Sequence, residues 1–206
     1  MLTRADSNPC GGIPRPARLR ARLRHTGRVP AIELPTLSDG HLTLRPPRPG
    51  DADAVTAACQ DAAIRRWVGV PSPYRREHAV QWLAAAPVRA RAGEAVSLLA
   101  LDAQERVAGS FSLLEIDRSR GYGEIGYWVA PLARGRGLAT RAVALLDGWA
   151  RETLRLRTVE ILVHRDNGPS RRVAERCGFT DTGELRRAPR GEDPDEPAYV
   201  VYAREA

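Results

Sequence analysis

The 206-residue chain has no lysine, so all 32 of its basic side chains are arginine. Alanine and arginine abound together, a pairing that reads as codon bias across a genome rather than selection for a basic surface, and arginine number alone is weak evidence of a polyanionic partner. Cysteine is scarce: Cys10, Cys59 and Cys177 stand far apart, without a CxxC pair. An odd number of isolated thiols is a poor disulfide framework and leaves no zinc-like spacing, so the expectation is free, mostly buried thiols in a reducing cytoplasm and no metal site. No apolar run approaches the ~18 residues that a membrane span requires, and the N-terminus lacks the apolar core of a signal peptide. Aromatic residues are only 5% of the chain, yet 43% of it is hydrophobic, enough for one adequate core.

The charge is unevenly spread. Residues 1–30 hold seven arginines against Asp6, a net of +6, which leaves 25 arginines and 24 acids, net +1, for residues 31–206. With four prolines and three glycines among them and few large apolar side chains, residues 1–33 read as a flexible Arg/Pro-rich tail preceding a domain at 34–206. An upstream start-site error or a basic arm touching nucleic acid are the alternatives for that tail; nucleic acid is otherwise not an expected partner.

From residue 34 the pattern is regular. "HLTLRPP" (41–47) alternates as a strand, and "PGDADAVTAACQDAAIRRWVG" begins a helix with Asp51 as its N-cap. A second helix, "YRREHAVQWLAAA" (74–86), precedes three strand-like runs at 95–102, 106–117 and 123–130 that suit antiparallel hairpins. The period then becomes helical: Leu138, Ala142, Leu145, Leu146 and Trp149 fall on one stripe. A strand at 158–164, a short helix over 169–176 stopped by Gly178, and strands at 179–187 and 198–205 complete the chain, the last two separated by the charged loop "APRGEDPDEP". The fold class is mixed α/β, a mostly antiparallel sheet with one parallel pair made by the strand-helix-strand crossover from 123 to 164.

"ARGRGLAT" (133–140) opens the striped helix. A helix N-terminus offers unpartnered N–H groups and a positive dipole end, and Gly135 and Gly137 let the backbone approach an anion closely. The two common phosphate loops do not fit, because no Lys-Ser or Lys-Thr follows and Thr140 stands where GxGxxG needs glycine.

In order along the chain, "LRPPRPGDADAV", "RRWVGVPSPYRREHAVQWL", "EIGYWVAPLARGRGLAT", "DNGPSRRVAERCGF" and "TGELRR" resemble the GNAT superfamily of N-acetyltransferases, in its RimJ/RimL-type branch. Arg134-Gly135-Arg136-Gly137-Leu138-Ala139 matches that superfamily's Arg/Gln-x-x-Gly-x-Gly/Ala loop, and the resemblance covers about residues 34–206. It implies a GNAT-like sheet whose central parallel strands splay around acetyl-CoA, with helices on both faces. It further implies that backbone amides from Arg134 through Thr140, including those of Arg136, Gly137, Leu138 and Ala139, hold the CoA pyrophosphate. Trp128, Val129 and Ala130 would line the pantetheine path, and Asn167 would bond CoA or orient the thioester.

Transfer from acetyl-CoA requires a neutral amine and a stabilised leaving thiolate. Ser170 matches the serine that RimJ/RimL-type enzymes offer as general acid, while Ala174 stands where many superfamily members carry a tyrosine. A serine at a helix start is also a common cap. Glu124 shares a strand face with Gly126 and Trp128 and is the candidate base, with Glu115 and Glu94 as alternatives and His164 as a hydrogen-bonding neighbour. Trp67, Tyr74 and Trp82 either line an aromatic acceptor cleft or pack in the core, and the acidic residues of 191–196 either attract a cationic amine or form a solvated turn. The acceptor implied is a primary amine, a protein N-terminus of the ribosomal-protein type or a small molecule; a non-catalytic acetyl-CoA sensor is the competing class, and a strand-edge homodimer is a state common in the family.

Overall fold

The computed structural model describes residues 30–186 and 199–205. The tail reading for residues 1–29 and both readings of the acidic loop therefore lie outside the described residues. The domain begins slightly earlier than its hydrophobic pattern predicts: Ile32 is buried, and its amide donates to the Ala90 carbonyl at 3.0 Å.

Eight strands form one sheet. In chain order they are β1 (Leu37–Ser38), β2 (Thr43–Arg45), β3 (Val96–Leu101), β4 (Val107–Asp117), β5 (Tyr122–Val129), β6 (Thr158–His164), β7 (Thr180–Arg186) and β8 (Tyr199–Glu205). Their spatial order is β1-β2-β3-β4-β5-β6-β8-β7, and every neighbouring pair is antiparallel except β5 with β6. The final strand thus enters between β6 and β7, an order that short-range patterning does not encode.

Five α-helices cover the two faces: α1 (Ala52–Ala58), α2 (Ala62–Val68), α3 (Arg76–Arg91), α4 (Leu138–Leu154) and α5 (Gly168–Arg176). The segment expected as one helix from Asp51 is two, because Asp61 accepts a hydrogen bond from the Ile64 amide and restarts the chain as an N-cap. Asp51 stands at the N-cap position of α1 but makes no capping bond. Its carboxylate instead takes both Arg45 guanidinium nitrogens, at 2.8 and 2.7 Å, fastening β2 to the start of α1.

Strand alternation divides the core in two. Ile125 of β5 and Val159, Ile161 and Val163 of β6 pack with Ala142, Val143, Leu146 and Ala150 of α4 and Ala174 of α5. On the opposite face Leu99 and Trp128 pack with Val55, Ile64 and Leu83 from α1, α2 and α3. The amphipathic stripe of α4 is therefore spent on the sheet, with Leu138, Leu145 and Trp149 half-buried at its margin. What this architecture leaves open is the seam between β5 and β6.

Candidate active site

The seam opens at a definite point. Pairing between β5 and β6 comprises Tyr122 with Thr158, Gly123 with Val159 and Glu124 with Glu160, and no partner is formed beyond it. Residues 125–129 of β5 remain laddered to β4, and residues 161–164 of β6 to β8. Each strand consequently presents one unpaired edge to the other, a slot walled by backbone hydrogen-bonding groups that a burial-averse chain must offer to solvent or to a ligand.

α4 begins directly beyond the end of β5. A short 3-10 turn at Pro131–Ala133 leads into the glycine loop, where Gly135 and Gly137 both have φ of +74°. No protein atom lies within 4 Å of a Cβ built at either glycine, so packing does not demand glycine there; the left-handed backbone does. The amides of residues 135–140 donate to no acceptor among the described residues, while Gly137 accepts from the Arg141 amide. Six such N–H groups at the positive end of a 17-residue helix form a cradle that suits an anion.

The Arg134 amide is committed to the Pro131 carbonyl at 3.3 Å, so the run of unbonded amides starts at Gly135. The Arg134 guanidinium is also engaged, donating to the Val129 carbonyl at 3.1 Å and to Asp61 at 2.6 Å, which ties the loop to the N-terminus of α2. Ala130 spends its amide on Ala108 and its carbonyl on Ala133. The Trp128 side chain is buried with those of α1–α3. Ala130 and Trp128 therefore shape the walls, and Arg136 stays exposed beside the cradle.

α5 supplies the other side. Asn167 is its N-cap and accepts from the Ser170 amide at 3.3 Å, which leaves its side-chain N–H groups and one oxygen lone pair for a ligand. Ser170 sits in the first turn, half-buried, and its Oγ lies 2.8 Å from the Tyr127 hydroxyl.

The base of the slot holds two carboxylates in very different settings. Glu160 takes a hydrogen bond from the Tyr122 hydroxyl at 2.7 Å and two from Arg186 at 2.6 and 3.2 Å. Glu124, its register partner, is 3% exposed and receives no side-chain or amide hydrogen bond from the described residues. Burial raises the Glu124 pKa to about 7, helped by the nearby charges of Glu115 and Glu160 and opposed by Arg186. One carboxylate is thus held by Tyr122 and Arg186, and its neighbour is poised to exchange a proton near neutrality.

An aromatic group rims the slot at the far end of β6. The His164 ring lies 4.9 Å from Trp67 and 5.4 Å from Tyr199, and the Arg66 guanidinium stands 4.3 Å over Trp67. His164 Nδ1 accepts the Asp166 amide at 3.2 Å, and burial lowers its pKa, so it is a neutral, oriented neighbour. Of the three early aromatics, Trp67 reaches this rim, whereas Tyr74 is core with Cys59, and Trp82 packs at the edge of the same cluster. Cys59 and Cys177 are free and buried, and burial pushes both thiols up to about 11.

Tyr127 and Arg186 were not among the residues expected from the sequence. Alternation placed Tyr127 opposite Trp128, but nothing local reveals that β5 and α5 meet across the open seam. Among the described residues no helix is long and apolar enough to cross a membrane, and no His/Cys/Asp/Glu group suits a metal ion.

Residues 41–180 match the model of the acetyltransferase (GNAT) domain. YdaF of Bacillus subtilis (strain 168), a protein assigned as a ribosomal N-acetyltransferase, is 39% identical over 80 residues, which span 39% of this chain and 44% of that relative. The uncharacterised N-acetyltransferase p20 of Bacillus licheniformis is 26% identical over 155 residues, 73% of this chain and 85% of p20. The solved structure of RimL, a ribosomal L7/L12 α-N-protein acetyltransferase in complex with coenzyme A, shares the fold at a TM-score of 0.74 and 23% identity, covering 83% of this chain and 98% of RimL.

Proposed function

The chain belongs to the acetyltransferase (GNAT) family, and on that premise we propose that it transfers the acetyl group of acetyl-CoA to the α-amine of a protein or peptide N-terminus. The observation that carries this reading is the slot itself: an unpaired strand edge that opens immediately above Glu124 and runs toward six unbonded amides at the start of α4.

The amides of residues 135–140 receive the pyrophosphate, and the free edges of β5 and β6 receive the pantetheine amides. The bound cofactor supplies the activated acetyl thioester; the chain supplies position, a proton acceptor and a donor to the sulfur. Glu124 takes the proton of the incoming ammonium, and Ser170 faces the departing thiolate.

The acidity of the amine itself separates the candidates. An α-ammonium titrates near 7.7–8.0 and a lysine ammonium near 10.4. Proton transfer to a carboxylate of pKa about 7 is then uphill by roughly 1 kcal/mol from an α-amine and by more than about 4 kcal/mol from lysine. The ribosomal-protein assignments of YdaF and RimL point the same way.

The test is release of free CoA thiol from acetyl-CoA in the presence of an amine panel: peptides with free N-termini, N-blocked peptides containing lysine, polyamines and aminoglycosides. Free N-terminal peptides are expected to be consumed fastest. Binding of acetyl-CoA with no thiol release by any amine would replace the transferase reading with that of a binding module.

A further inference from the structure

Tyr127 lies three residues beyond the last β5–β6 pair, on the α4/α5 face of the sheet. Its ring stacks on Phe111 with centroids 5.4 Å apart and planes 9° from parallel, and its hydroxyl reaches Ser170 Oγ at 2.8 Å. The contact joins β5 to α5 across the part of the seam where the backbones have separated.

A serine hydroxyl has one proton and two lone pairs, and a phenol has one proton. The resting Tyr127–Ser170 contact can run in either direction. If Ser170 donates to the phenol, its proton is turned from the slot. If the phenol donates to Ser170 Oγ, the serine proton is released toward whatever lies in the slot. A developing negative charge on sulfur selects the second arrangement, because successive hydrogen bonds polarise one another toward the anion. The phenol is buried, and burial raises its pKa to about 12, so it remains a protonated donor across the usable pH range.

We infer that Tyr127 is a positioning residue for the leaving group, donating to Ser170 Oγ so that the Ser170 hydroxyl points at the sulfur of the departing CoA. This rests on the assignment of Ser170 to the thiolate side of the reaction. The amine nitrogen forms its bond to the acetyl carbon, the C–S bond breaks, and its electron pair goes to sulfur. One ammonium proton goes to Glu124 before attack; the second, which the nitrogen sheds once it is bonded to carbon, passes to the departing sulfur, so that the products are the amide and CoA thiol. Tyr127 and Ser170 keep their own protons and stabilise the thiolate by a chain of two hydrogen bonds.

Tyr127→Phe removes the hydroxyl and keeps the ring on Phe111. Turnover at saturating substrates is expected to fall about tenfold, which is about 1.4 kcal/mol and within the range of one net hydrogen bond, with the KM for acetyl-CoA changed less than twofold and thermal unfolding preserved. Ser170→Ala is expected to fall at least as far, and the double variant no further than Ser170→Ala alone, because the phenol acts through the serine. Full turnover in Tyr127→Phe, or a further tenfold loss in the double variant, overturns the inference while leaving Ser170 in place. Full turnover in Ser170→Ala overturns the assignment of Ser170 itself, and the role of Tyr127 with it.

Discussion

Glu124→Gln is expected to lower turnover by about 10²-fold or more, in the range that positioned general bases contribute, and to make the folded protein more stable at alkaline pH. The wild-type Glu124 pKa is raised, from 4.5 to about 7. A folded state that binds this proton more tightly than the unfolded chain is favoured below pH 4.5 and loses that advantage as pH rises through about 7. Above that pH the buried, ionised carboxylate costs on the order of 3 kcal/mol. Glutamine keeps the shape without the charge, so its stability relative to wild type should climb between pH 4.5 and 7.5 by about that amount. The same proton governs catalysis in the opposite sense: wild-type turnover should rise with pH through about 7 as the base becomes available. In Glu124→Gln that limb should vanish, leaving the titration of the amine. Thermal unfolding and a pH–rate profile on the same two proteins check both halves. A variant that retains the limb near 7 would move the base elsewhere on the slot, with Glu115 the carboxylate whose charge acts most strongly on Glu124.

Gly137→Val should weaken acetyl-CoA by about 10²-fold while leaving the KM for the amine nearly unchanged. Gly137 occupies the N-cap position of α4 at φ +74°, where a β-branched residue costs ~1–2 kcal/mol or more. No neighbouring protein atom lies within 4 Å of a Cβ at this position, so the protein has room to fold around the start of the new side chain. It projects instead into the space beside the free amides, where each lost hydrogen bond to a charged phosphate is worth roughly 1.5–3 kcal/mol. About 3 kcal/mol in all is two decades of affinity. Calorimetric titration with acetyl-CoA reads it directly. An unchanged affinity would place the pyrophosphate away from the start of α4.

Much of this site is written in local patterns. Alternation along residues 123–130 and 158–164 reveals two strands, the stripe from Leu138 to Trp149 reveals the helix between them, and the crossover makes them parallel. The glycines at 135 and 137 then mark the left-handed turn that opens the helix. What local patterns could not carry is pairing at long range. The order of the sheet depends on β8 arriving from the end of the chain to ladder with β6 along its whole length. The two-helix break at Asp61 depends on a cap that competes with a continuous helical pattern, and the same aspartate gains Arg134 from 73 residues away. Glu124 and Glu160 look alike in sequence. They differ because Arg186 and Tyr122 converge on one and not on the other.

The claim that the slot delivers acetyl to an N-terminal amine is tested most directly by intact-mass analysis of one peptide that carries both a free N-terminus and an internal lysine, incubated with the protein and acetyl-CoA. A single acetyl group located on the first residue by fragmentation, and no product from the same peptide with a blocked N-terminus, is the expected result. Acetylation confined to the lysine, or equal acetylation of both amines, would contradict it.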